Sequence, residues 1–384
     1  MDFDLRAHTL LLTVAGSRAY GVHTAASDVD VKGAAIPPAA YFHGMLSRFE
    51  QADKPSQVQA FLGDLSEVER AACADSKLEG SVYHLVKFCQ LAADCNPNML
   101  DVLFCRDAEV RLCTPAGEAL RASRELFLSQ KAKHTFSGYA ASQLKRIRGH
   151  RQWLLNPPTQ KPERADYDLP ERTLIPADQL AAAQAALRHK IDGWAVDYGD
   201  LYPSSVVHIQ EQIARYLAEI QTTTDEHWRS AARSIGYDEN FIALLDRERR
   251  YKAAMREWQQ YQDWKTERNP ARAQLEADHG FDTKHGMHLI RLLRTGRELM
   301  LTGRVNVWRG DIDAEELVAI RNGAWEYEQL VEEAERIDTE LEALYRSGAC
   351  ILPRAPDRVA LDRLVIGLVE EALSTRLPSD TLPR

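Results

Sequence analysis

The chain has 384 residues, 45% of them hydrophobic and 27% charged, with 48 Lys and Arg against 57 Asp and Glu for a formal net charge of −9. That length predicts two or three domains of ~100–200 residues with a substantial core, and the composition excludes wholesale disorder. The negative balance excludes a protein that coats nucleic acid indiscriminately, because phosphate binding needs positive surface.

The N-terminal part reads as mixed α and β structure. Residues 8–14 form a short apolar run typical of a buried strand, and 29–36 form a second, ended by Pro37 and Pro38. A turn-rich stretch with Gly16, Gly21 and Ser27 lies between them. Residues 46–70 show no clear period. Residues 77–82 predict a third strand and 83–93 a helix with Leu85, Phe88 and Leu91 on one side. Asn96-Pro97 breaks that helix before a short apolar element over 99–104. From about residue 115 the pattern becomes helical, with segments at 116–128, 132–155, 178–194, 205–221, 239–267, 284–301, 313–321, 325–347 and 358–376. Prolines 157, 158, 162, 170 and 176 mark a loop or linker over 156–176. The fold class that follows is an α/β module with a mixed sheet over residues 1–115 and a mostly α-helical region over 116–384.

Cysteines 73, 89, 95, 105, 113 and 350 show neither a C-x-x-C pair nor zinc-finger spacing, so free thiols in a reducing compartment are expected. No run of ~18 apolar residues predicts a membrane span. The start, Met1-Asp2-Phe3-Asp4, lacks the basic and apolar regions of a signal peptide, and the expected location is the cytoplasm.

Chemistry concentrates in Gly16-Ser17-Arg18 and in Ser27-Asp28-Val29-Asp30. Side chains alternate along a strand, so Asp28 and Asp30 project from one face where Val29 continues into a strand. Adjacent carboxylates repel, and a cation between them relieves the repulsion. Oxygen-only ligands suit Mg²⁺, with Mn²⁺ as the alternative. Gly16-Ser17, between a strand and a short helix, supplies backbone N–H groups and a hydroxyl able to cradle a phosphate.

Two basic elements stand out in this acidic chain. Lys131, Lys133, Lys145, Arg146, Arg148 and Arg151 share a stretch without an acidic residue. With His134 and Tyr139 beside them they suit a groove for a polynucleotide or triphosphate, or else a solvated face balanced by acidic neighbours. On a helical wheel, Lys284, His288, Arg291 and Thr295 fall within ~60° of one another, a ridge suited to clamping phosphate. Leu289, Ile290 and Leu293 occupy the opposite side. His285 and His288 are followed by no third nitrogen or sulfur ligand, which argues against zinc. The tryptophans read as packing anchors, and the acidic run 332–342 as a solvated helix face.

The strand–Gly-Ser–helix–Ser-Asp-x-Asp–strand pattern resembles the nucleotidyltransferase superfamily of DNA polymerase β. Further blocks narrow the resemblance: residues 79–88 and 96–104, Phe136-Ser137-Gly138-Tyr139-Ala140 with Gln143-Leu144, residues 282–293, and Ile320-Arg321-Asn322-Gly323-Ala324-Trp325. Together they resemble the RNA-repair-pathway, RNA-ligase-associated polymerase-β-like family over roughly residues 10–330. The resemblance implies a palm-like N-terminal module and Mg²⁺- or Mn²⁺-dependent, two-metal transfer of a nucleoside monophosphate from an NTP. It implies that Asp28 and Asp30 hold the metals and that a third carboxylate from a later strand joins them. Glu79 stands where the family usually has Asp, with Asp75 and Asp101 as alternatives. Gly16, Ser17, Arg18 and Ser27 would bind the nucleotide, and Lys284, His288 and Arg291 would close over it. Association with RNA ligases implies an RNA end as acceptor and a partner in an RNA ligase pathway. Two other readings stand beside this one: a protein or small-molecule acceptor, and a non-catalytic nucleotide- or RNA-binding partner in a repair or defence complex.

Overall fold

The apolar run Thr9–Ala15 (β1) is buried along its whole length and turns directly into a short helix, Gly16–Tyr20 (α1). Val29–Ala35 (β2) returns antiparallel to β1. Gln51–Ala52 (β3), Leu78–His84 (β4) and Val110–Cys113 (β5) complete a five-stranded sheet in the order β3-β4-β2-β1-β5. Only the β2–β4 pair is parallel, so the sheet is mixed. A parallel neighbour requires a crossover, and the segment after β2 makes it while covering one face of the sheet. Val29, Val31, Leu78 and Val82 pack there against Val58, Phe61 and Leu65.

The other face carries Leu10 and Ala34 under the helices Leu85–Ala93 (α2), Pro97–Phe104 (α3) and Pro115–Ala122 (α4). Their starts follow from local chemistry. His84 Nδ1 accepts from Val86 N at 3.1 Å, which ends β4 and opens α2 two residues later than the apolar pattern predicts. Asn96 and Thr114 cap α3 and α4, each followed by a proline whose missing N–H costs nothing at that position. The strand β5 is too short to announce itself in sequence, and its pairing with β1 creates it.

Residues 3–24, 27–75, 78–173, 236–267 and 270–375, with isolated positions between 182 and 233, are described by this computed structural model. The helices predicted over 178–194 and 205–221 lie outside them apart from those isolated positions. The remaining predicted helices are present, as Lys131–Leu155 (α5), Glu239–Glu267, Thr283–Thr302 (α7), Ala314–Arg321 (α8), Tyr327–Ser347 (α9) and Arg358–Thr375 (α10), with Pro270–His279 (α6) in addition. The α/β module is therefore followed by a mostly helical region. No helix among the described residues is long and apolar enough to cross a membrane.

The chain divides into two compact units, residues 1–155 with 270–384, and residues 156–269. In the second, Ile242 and Leu245 of the helix Glu239–Glu267 are buried, and Arg164 binds the buried Glu248 at 2.5 Å, with Thr173 Oγ1 donating to the same carboxylate at 3.1 Å. In the first, α7 forms the axis of the helical region. Gly286 and Gly296 bring it close to Leu330 of α9 and Phe136 of α5, where a Cβ would sit 3.1 Å and 3.0 Å from those side chains. Leu361 and Leu368 of α10 close the core above α2 and α4.

The basic helix α5 meets acid on the neighbouring α9. Lys133 binds Glu342, and Arg148 and Arg151 lie 3.6 Å from Glu335 and Glu328. Lys131 binds Asp94 and Arg146 faces His285. The two runs of opposite charge, 131–151 and 332–342, thus compensate each other in part.

Arg309 is fully buried between Glu298, at 2.8 Å and 2.9 Å, and Asp313, at 2.7 Å and 2.8 Å, while its N–H donates to Tyr20 O at 3.0 Å. Burial pushes the Asp313 carboxyl up, yet the hydrogen bonds and charges of Arg309 and Arg294 hold it below its ordinary value. A depressed carboxyl stabilises the fold above its unfolded-state value, and this contribution fades as pH falls through the folded one. Arg309→Ala should cost about 3 kcal/mol in urea unfolding at neutral pH, because it empties the buried guanidinium position and takes four hydrogen bonds from two half-buried carboxylates, which keep only Arg294 and Asn306. Arg304→Ala on the nearby surface should change stability by under about 0.5 kcal/mol.

Candidate active site

Asp30 is the second residue of β2 and stands opposite Glu79 of β4, in a register that also sets Val29 against Leu78. Since Val29, Val31 and Leu78 are turned into the core on one side, alternation turns Asp30 and Glu79 to the other. Asp28 lies just before the strand and is exposed, as is Glu79. Burial pushes the Asp30 carboxyl above its ordinary value; Lys32 opposes the shift, Glu79 and Asp28 add to it, and Lys284 opposes it again. All four of these groups therefore act on Asp30. Of the third-carboxylate candidates, Glu79 is in register with Asp30. Asp101 is buried and engaged elsewhere, and the Asp75 side chain lies outside the described residues.

The glycine at the end of β1 is required by this carboxylate. Gly16 has φ +63°, and a Cβ there would sit 2.5 Å from Asp30 Oδ2 and 3.4 Å from its Cγ. Both the backbone conformation and the space rule out a larger residue. Ser17 follows in the first turn of α1, half-buried.

Arg18 reaches back from α1. Its Nε donates to Asp28 O at 3.3 Å and its Nη2 to Ser27 O at 3.0 Å, so the guanidinium fastens the approach to β2. Ser27 is buried, and its Oγ accepts from Thr24 N at 2.9 Å and from Arg321 Nη2 at 3.3 Å. Arg321 also donates to Val22 O at 2.9 Å. Ser27 and Arg18 thus hold the loop that delivers Asp28 and Asp30.

The ridge of α7 runs inward from the site. Lys284, half-buried in its first turn, acts on Asp30. One turn on, burial lowers the His288 pKa well below its ordinary value, with the charges of Arg291, Lys284 and Arg321 adding to the effect, so the imidazole is neutral at pH 7. Its ring meets Tyr20 edge-on at 6.3 Å. Arg291 is buried deeper, 3.6 Å over the Tyr20 ring and 3.9 Å from Asp101 Oδ2. The Tyr20 hydroxyl donates to that same oxygen at 2.6 Å, and burial raises its own pKa, which keeps the proton in place. Lys284 thus acts on Asp30, whereas Arg291 braces Tyr20 and Asp101.

Sequence reasoning missed the support beneath the site. Lys32 shares the strand face of Asp30 and donates to Asn98 Oδ1 of α3 at 2.5 Å. Burial lowers its pKa, while Asp101 and Asp30 hold it up. A signal existed, since Lys32 has the parity of Asp28 and Asp30. Arg321 lies in the block 320–325 but carries no local sign that it reaches Ser27.

A carboxylate repelled by two others, with oxygen-only donors and a glycine cleared beneath it, fits a divalent cation of the Mg²⁺ or Mn²⁺ class. Residues 4–157 match the model of the RNA repair pathway DNA polymerase beta family. No curated protein and no solved structure matches the chain.

Gly16→Ala should push Asp30 from its position. In wild type, Mg²⁺ at about one hundred times its Kd should stabilise the fold by about 2.7 kcal/mol in thermal melts. Gly16→Ala should lose most of that gain, while Gly149→Ala, whose added Cβ meets nothing within 4 Å, should keep it.

Proposed function

Residues 4–157 belong to the RNA repair pathway DNA polymerase beta family, and from that premise we propose that the chain is a divalent-metal-dependent nucleotidyltransferase. Its reaction moves a nucleoside monophosphate from an NTP to an RNA end. The observation that carries the reading is the alignment of Asp30 with Glu79 across parallel strands, with Asp28 beside them and Gly16 cleared beneath Asp30.

Asp28 and Asp30 are the residues to hold the metals, and Glu79 joins them on the acceptor side. A divalent ion held by these carboxylates would supply neutralisation of the triphosphate charge and stabilisation of the acceptor hydroxyl as it loses its proton. The chain's own part is positioning, which dominates phosphoryl transfer. The Gly16-Ser17 turn offers backbone N–H groups and a hydroxyl to the triphosphate. Lys284 adds a cation on the side of α7. Arg18, Ser27 and Arg321 keep the Asp28–Asp30 segment in place, and neutral His288 leaves the local positive charge to the lysine. The family's description names RNA repair, which supports an RNA acceptor; the RNA ligase pathway partner rests on the sequence resemblance.

The test is incubation with Mg²⁺, labelled NTPs and RNA carrying free ends. Asp28→Ala/Asp30→Ala should lose at least about a thousandfold in label transfer, about 4 kcal/mol of barrier. Equal transfer by both proteins would sink the site. Glu79→Ala should fall about a hundredfold, while Glu79→Asp should stay within about tenfold of wild type. NTP binding without pyrophosphate release, under any acceptor, would instead identify a non-catalytic nucleotide-binding protein.

A further inference from the structure

A second cluster of ligand-type side chains lies away from the Asp28–Asp30 segment, where α5, α6 and the start of α7 meet. It consists of His150, Glu276 and Asp282, with one donor atom from each within 4.8 Å of the other two. Glu276 is 1% exposed and Asp282 is wholly buried. None of the three belongs to the nucleotide site, and sequence spacing hides them, since 126 residues separate His150 from Glu276.

The donors are held ready. Asp282 is the N-cap of α7, and its Oδ1 accepts from His285 N at 3.0 Å. Its Oδ2 lies 2.5 Å from His285 Nδ1 and 3.5 Å from His150 Nδ1. The other nitrogen of His285 fixes the tautomer. Arg146 Nη1, which can only donate, sits 3.0 Å from His285 Nε2. That nitrogen therefore accepts, and the ring proton lies on Nδ1, donated to Asp282. His285 is thus a neutral imidazole that orients the carboxylate, the outer-shell arrangement common around metal ligands. The His150 ring is itself stacked on Trp153, 5.5 Å between centroids and 24° between planes.

We propose that His150, Glu276 and Asp282 form a binding site for one divalent transition metal, Zn²⁺ in the first place because imidazole with two carboxylates is a ligand set that Zn²⁺ takes. Tetrahedral bonds of about 2.0–2.2 Å place ligand atoms about 3.4 Å apart, so donors that lie within 4.8 Å of one another close on one ion by moving inward by up to about an ångström. One imidazole nitrogen and two carboxylates select the borderline class over Mg²⁺, which takes oxygen ligands and retains water. The ion would join three helices and anchor the end of α7 that presents Lys284. It is separate from the metals of the proposed reaction and stands or falls independently of that reading.

The test is metal analysis of the purified full chain after stripping with chelator and reconstitution with Zn²⁺, Mn²⁺ or Mg²⁺, each alone. The site predicts about one tightly held equivalent of Zn²⁺ that survives gel filtration, with melting temperature raised over the stripped protein. Asp28→Asn/Asp30→Asn should retain it, and His150→Ala and Glu276→Gln should each lose it. Should those variants fail to fold, Co²⁺ in the wild type gives the same decision: visible bands abolished by about one equivalent of Zn²⁺, and X-ray absorption showing mixed nitrogen and oxygen ligation, support the site. No retained Zn²⁺, retention in the His150→Ala/Glu276→Gln double variant, or loss in Asp28→Asn/Asp30→Asn would overturn it.

Discussion

Burying Asp30 beside Glu79 and Asp28 costs free energy that Lys32 and Lys284 return only in part, and much of the surrounding architecture answers to that one carboxylate. It needs a glycine beneath it, so β1 ends in Gly16 with a positive φ. It needs a neighbour on a parallel strand, so the chain crosses over between β2 and β4 and lays Val58, Phe61 and Leu65 against the opposite face. The crossover thus builds the core and sets the register that brings Glu79 level with Asp30.

Behind the carboxylates a second layer ties sheet to helices. Lys32 reaches Asn98 on α3, Tyr20 reaches Asp101 on the same helix, and Arg291 of α7 lies over Tyr20 and near Asp101. Arg321 of α8 holds the loop between α1 and β2 through Val22 O and Ser27 Oγ. Parts of the chain nearly three hundred residues apart therefore share responsibility for the position of Asp28 and Asp30. Polar groups buried in this way favour one arrangement because leaving any of them unmatched costs about 1–3 kcal/mol.

Charge is arranged by neighbourhood. The basic stretch 131–151 and the acidic stretch 332–342 lie on adjacent helices and compensate each other in part, through Lys133 with Glu342 and Arg148 with Glu335. Lys284 then matters more than the number of basic residues suggests, since it is the α7 cation that acts on Asp30. The net charge of −9 is compatible with handling phosphate because a site needs only local cations and metal-binding carboxylates.

The sequence by itself determined the parts governed by neighbours along the chain. The apolar runs of β1 and β2, the Gly16-Ser17 turn, the parity of Asp28 and Asp30, and the long helices were legible because strand and helix periods are local. So were the family blocks up to Leu144, which fall within the matched residues 4–157. The tertiary structure alone decided that β5 exists, since four half-buried residues become a strand only by pairing with β1. It decided that Arg291 turns inward to Tyr20, that Asp101 serves that tyrosine, and that His288 is neutral. It also placed His150 beside Glu276 and Asp282, a neighbourhood that no spacing along the chain announces. The difference is physical: backbone periodicity acts over a few residues, whereas burial, ion pairing and pKa depend on which distant segments the fold brings within a few ångströms.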